Sequence, residues 1–137
     1  MIVIDASALS KYVLKEEGWE EVRRFVRERR PLYSVDHVLK ECFNAIWRHA
    51  YLRRAIGSEV ALELAKRVQK LVETGVIVLE SESQYLLRAL EIALGRGVTL
   101  YDALYVAQAL RYGELLTCDE RQAEVAQSLG IEVYLVT

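Results

Sequence analysis

Apolar residues follow two rhythms along this chain. Short unbroken runs at Ile2–Ile4, Leu32–Val35, Val76–Leu79, Leu115–Thr117 and Glu132–Val136 read as strands. Between them, apolar positions recur every three to four residues, the spacing of amphipathic helices. This predicts helices over Ala6–Leu14, Trp19–Arg29, His37–Leu52, Ser58–Glu73, Ser81 to near Gly95, Tyr101–Arg111 and Glu120–Leu129. Gly18 breaks the first pair apart. Asp36 and Ser81 stand where an N-cap belongs, and Gly75 where a helix stops. Strands separated by helices predict an α/β fold. Continuous apolar strands predict a mainly parallel sheet covered on both faces. Ligands of such sheets bind beyond the carboxyl ends of the strands, where strand order reverses. The residues just after each strand therefore carry the functional question.

Composition narrows the class. The 137 residues are 53% hydrophobic and 28% charged, a globular balance that suits a single domain over residues 1–137. There is no repeat, low-complexity stretch or linker, and Pro31 is the only proline. The net charge of −2 gives no global basic field, so a polyanion would need local cations or a metal ion. Cys42 and Cys118 form no CxxC and read as reduced thiols. Asp5 interrupts the apolar start too early for a signal peptide, and no run reaches the length of a membrane span. The expectation is a soluble, cytoplasmic protein with no membrane partner.

Four acids stand out by their settings among 20. Asp5 directly follows Ile2–Ile4, and Asp119 lies two residues past Thr117. Asp102 opens the largely apolar TLYDALYVAQAL, and Glu41 lies within VLKECFNAIW. Each has a plain structural alternative. Asp5 and Asp119 can cap the helices that follow, Asp102 suits a helix N-terminus, and Glu41 can be an exposed helical residue. Convergence of all four has a stronger consequence. Two carboxylates about 4 Å apart repel by roughly 4 kcal/mol at an effective dielectric near 20, so the cluster must take up protons or a cation. Oxygen donors alone select Mg²⁺ or Mn²⁺. His37 and His49 fit no HExxH pattern and read as solvated helix residues. A hard ion among carboxylates suits phosphodiester hydrolysis, because it acidifies water and neutralises phosphate.

Four ordered segments resemble the PIN-domain nucleases, especially the VapC-type toxins: IVIDASAL, ECFNAIWR, TLYDALYVAQAL and LLTCDERQ. The resemblance spans nearly the whole chain. It implies an α/β/α sandwich with a central five-stranded sheet and a divalent-metal-dependent endoribonuclease acting through water. It also implies that Asp5, Glu41, Asp102 and Asp119 are the catalytic and metal-binding acids. Ser7, Asn44 and Thr117 would surround them or touch substrate. A short antitoxin and a homodimer are the implied partners, with RNA as substrate. Cys118 departs slightly from the pattern but leaves Thr117 and Asp119 in place.

Arg48 lies only about 20° around its helix from Glu41, at roughly 100° per residue. It can hold a substrate phosphate or pair with a nearby acid; both remain open. Arg23, Arg24, Arg27, Arg29 and Arg30 are mixed with Glu20, Glu21 and Glu28, so that stretch reads as a solvated face. Leu39, Cys42, Phe43, Ile46 and Ala50 form one apolar face. Val38, Trp47 and Tyr51 remain at other angles, a candidate partner surface. A dehalogenase-like phosphatase would want DxD where this chain has Asp5-Ala6-Ser7, and a receiver domain would want Asp where it has Glu80. GxGxxG and GxxxxGK[ST] are missing. A catalytically silent module binding RNA or protein, or an RNA-processing nuclease outside toxin–antitoxin systems, stays as the alternative.

Overall fold

The computed structural model describes all residues, 1–137. Five strands, β1 (Ile2–Ile4), β2 (Leu32–Val35), β3 (Ile77–Glu80), β4 (Glu114–Thr117) and β5 (Glu132–Leu135), form one sheet in the order β3-β2-β1-β4-β5. Every pair is parallel, with Val3 opposite Tyr33 on one side and Leu115 on the other. β1 is fully buried, as the unbroken apolar run requires. Strand order reverses at β1: the chain proceeds through β2 to β3 on one side, then returns to β4 and β5 on the other. The carboxyl ends of β1 and β4 flank that reversal, so it is where a ligand site is expected.

Seven helices flank the sheet, giving the α/β/α arrangement: α1 (Ala6–Leu14), α2 (Trp19–Glu28), α3 (His37–Trp47), α4 (Ser58–Glu73), α5 (Leu86–Arg96), α6 (Leu100–Tyr112) and α7 (Glu120–Ser128). α6 packs against β1, β2 and β4, and every residue from Ala103 to Ala109 is buried. That explains its lack of a polar stripe. α1 packs on α2, α3 and α4. Gly18 takes φ +91° before α2, and a Cβ there would lie 3.3 Å from the Thr137 carbonyl oxygen. No helix is long and apolar enough to cross a membrane.

Several local expectations change. The helix predicted over His37–Leu52 is α-helical only to Trp47, and Arg48–Leu52 forms a π-turn. Asp36 makes no side-chain cap to α3; its Oδ1 accepts the Glu82 N–H at 3.0 Å instead. Ser81 caps a short 3-10 turn, Glu82–Gln84, before α5 begins, and α5 runs on to Arg96. Val38, assigned above to a surplus surface, is buried in the core. Trp47 and Tyr51 are exposed and stack on each other with centroids 5.5 Å apart. His37 is buried, not solvated: its ring stacks on Tyr101 at 4.9 Å. A three-and-a-half-residue repeat reports burial on one side of a helix and says nothing of what the next layer covers.

Candidate active site

Asp5 leaves the buried end of β1 and accepts the Ala8 N–H at 3.0 Å, which caps α1. Ser7 Oγ donates to Asp5 Oδ1 at 2.7 Å, and Thr117 Oγ1, from the end of β4, donates to Oδ2. Thr117 Oγ1 also accepts the Asp119 N–H at 3.1 Å, and Ser7 Oγ accepts the Cys118 N–H at 2.8 Å. Two strands 112 residues apart are thus tied by small hydroxyls around one carboxylate. Asp119 accepts the Gln122 N–H at 3.1 Å and caps α7. The capping roles open in the sequence are real, yet they coexist with a shared site.

Asp5, Glu41, Asp102 and Asp119 line one cavity of about 410 Å³. Ser7 and Arg48 line it too. Thr117 is buried behind Asp5. Asn44 is not brought to this cavity; it is exposed along a separate shallow groove with Lys40, Phe43 and Trp47. At one turn from Glu41 it shares a helix but faces another way. Sequence spacing also left out four contributors. Tyr105, one turn after Asp102, is buried and donates its hydroxyl to Glu41 Oε1 at 2.5 Å. His37 Nε2 lies 3.3 Å from the same oxygen. Gln122 is buried in the cavity wall, its Nε2 3.5 Å from Asp5 Oδ2. Arg53 lines the cavity as well. Tyr105 and Gln122 each sit three residues past a named acid, which was a usable signal; Arg53 carried none.

The electrostatics are those of crowded acids. Burial pushes the Asp5 carboxyl up to about 6 against its hydrogen bonds from Thr117, Ser7 and Ala8, and the charge of Asp119 adds to the rise. Asp102 is raised by burial, then by Asp119 and Glu41. Burial also raises Cys118 to about 11, with Asp5 adding to it, which disfavours the thiolate.

The donors suit a hard divalent cation. They are carboxylate oxygens, and Gln122 Oε1 is buried there with no hydrogen-bond partner. The lining holds five acids (Glu16 with the four above) against Lys11, Arg48 and Arg53. The surplus of two negative charges is what one divalent ion neutralises. No three of these side chains are drawn together closely enough to form a finished cage.

A family model for the PIN domain matches residues 2–128, and the chain belongs to the PIN-domain family. It is 36% identical over 125 residues to a protein of Pyrobaculum aerophilum named Ribonuclease VapC3, covering 90% of this chain and 92% of that one. It is 30% identical over 136 residues to Exonuclease VapC9 of the same organism, covering 98% and 92%. The crystal structure of PAE2754 from Pyrobaculum aerophilum superposes with a TM-score of 0.70 over 96% of this chain and 87% of that one, at 23% identity, a likeness of fold.

Proposed function

We propose that this protein is a divalent-metal-dependent ribonuclease, the toxin of a toxin–antitoxin pair, that cuts RNA internally. One observation carries the reading: four carboxylates from four separate segments line one cavity at the strand-order reversal, where burial and mutual repulsion raise Asp5 and Asp102. The relatives named Ribonuclease VapC3 and Exonuclease VapC9 support the nuclease class, and their VapC names support the toxin role.

Asp5, Glu41, Asp102 and Asp119 would hold Mg²⁺ or Mn²⁺, which supplies charge neutralisation at the phosphate and a more acidic water. The chain itself supplies preorganisation. Ser7, Thr117 and the Ala8 N–H fix the Asp5 carboxylate before any ligand arrives. Tyr105 occupies Glu41 Oε1 and so sets the direction of Oε2. Arg48, which takes part in no ion pair of this structure, is free to meet a phosphate.

Two apolar surfaces suit the expected partners. Trp47 and Tyr51 border a cavity of about 440 Å³ with Phe43, Ile46 and Leu62, a fit for an antitoxin segment. Leu87, Leu90 and Leu94 stand exposed along α5, a fit for a second copy of the chain.

Cleavage of linear and circular RNA with Mg²⁺, Mn²⁺ or chelator tests the reading. The expected result is metal-dependent opening of the circle, leaving 5′-phosphate and 3′-hydroxyl ends. Cleavage that persists in chelator overturns metal dependence. Trimming of linear RNA with an intact circle makes the enzyme an exonuclease.

A further inference from the structure

The π-turn at Arg48–Leu52 has no role in holding the core, since none of its residues is buried. Its effect is directional. The Arg53 N–H donates to the Arg48 carbonyl at 2.9 Å, five residues back, in place of the four-residue step of an α-helix. Had α3 continued regularly, Arg53 would stand roughly 140° around the axis from Arg48. The wider turn brings it round closer to Arg48 instead, and both side chains line the carboxylate cavity. His49 lines it as well, and Arg53 Nη1 lies 3.4 Å from His49 Nδ1. With Nδ1 accepting from Arg53, the ring proton belongs on Nε2, making His49 a donor too. Arg53 enters no ion pair, although five carboxylates share the cavity. Arg54, the next residue, lines the apolar cavity with Trp47 and Tyr51.

We infer that the π-turn exists to aim Arg53 and His49 into the cavity, where with Arg48 they clamp an RNA phosphate next to the one being cut. This inference rests on the ribonuclease reading and extends it to the binding of substrate. Cations and acids lining the same cavity divide the work. The acids hold the cation at the reacting phosphate, and the clamp holds the strand in register. In a chain of net charge −2, such a local cluster is what lets a polyanion approach the acids.

The test separates binding from cleavage. Binding of a short fluorescent single-stranded RNA is measured in chelator, in an Asp102→Asn background that removes one repelling charge. Arg53→Gln should weaken it about tenfold, as expected for a lost charge-assisted contact, and flatten the salt dependence by about 0.7 in slope. Arg54→Gln removes the same charge one residue away and should change affinity less than about twofold. Inserting one alanine between Ala50 and Tyr51 carries Arg53 on by roughly 100° around the axis and should match the Arg53→Gln loss with Arg53 still present, once circular dichroism shows a folded protein. Equal losses from Arg53→Gln and Arg54→Gln would mean general attraction and overturn the clamp. An unchanged affinity for Arg53→Gln overturns it while cleavage by the unaltered protein keeps the ribonuclease reading. Absence of both RNA binding and RNA cleavage sinks the two together.

Discussion

Two kinds of secluded carboxylate lie within this small sheet, and they are built oppositely. Glu80, at the end of β3, accepts from Tyr85 Oη at 2.5 Å, Tyr112 Oη at 2.9 Å, Gln108 Nε2 at 3.0 Å and Arg111 Nη1 at 3.3 Å. Glu114, at the start of β4, meets the Met1 amino group, Arg29 and Tyr134. Burial works to raise both, but the donors outweigh it: Glu80 falls below its ordinary value and Glu114 to about 2. Asp5 receives hydrogen bonds as well, yet it is more deeply buried and its charged neighbour is Asp119, so it rises to about 6. Seclusion alone therefore does not mark a functional acid. The difference lies in whether cations or other acids complete the surroundings.

The sharpest way to break this comparison is to neutralise one acid of each kind. Asp102→Asn should lower cleavage by about three orders of magnitude, the several kcal/mol of charge stabilisation that a metal site supplies. Its melting temperature in chelator should stay level or rise, because Thr99, not Asp102, caps α6 and one repulsion is gone. A large drop in melting temperature would make Asp102 structural. Tyr105→Phe should cost about tenfold to a hundredfold in activity or metal affinity, since it frees the Glu41 carboxylate to turn. Calorimetric Mn²⁺ binding beside the rate decides between positioning and folding.

Glu114→Gln should leave cleavage by the folded enzyme intact but lower stability by about 1–2 kcal/mol, read by urea unfolding. An activity loss there would erase the distinction drawn above. The smallest effect is in pH dependence, followed in chelator. Glu114 ionises at about 2 when folded against an ordinary 4.5, so its contribution is full above 4.5 and is lost as pH falls toward 2. Asp5 goes from an ordinary 3.8 to about 6, so the folded state holds its proton longer and stability declines as pH rises across that window. Glu114→Gln should flatten the acid limb and Asp5→Asn the upper one. A wild-type profile unaffected by either variant would show that neither shift is coupled to folding.

Much of this was legible in the chain. The strand positions came within about two residues, because a buried strand must be a continuous apolar run. Asp5, Glu41, Asp102 and Asp119 stood out because acids flanked by core residues are costly unless used. Thr117 was picked out with them, and it carries the bond that closes β4 onto Asp5. Glu80 was noticed only as the wrong residue for a receiver domain, and Glu114 not at all, although each is the hub of a network. Their partners lie up to 113 residues away, and no periodicity reports such distances.

Local sequence determined what local interactions decide. These are the placement of strands and helices, the caps at Asp5 and Asp119, and the carboxylates that end up facing an aqueous cavity at a sheet edge. Tertiary structure alone decided the rest. It turned Asn44 away from the acids, buried Val38 and His37, and brought Tyr105 to Glu41 across 64 residues. It also inserted the π-turn that points Arg53 inward. The physical reason is common to these cases. A 3.6-residue repeat gives a side chain's angle about its own helix axis, whereas its neighbours depend on how that helix is laid against others and on single-residue changes in pitch, which cooperative packing selects and local propensity does not encode.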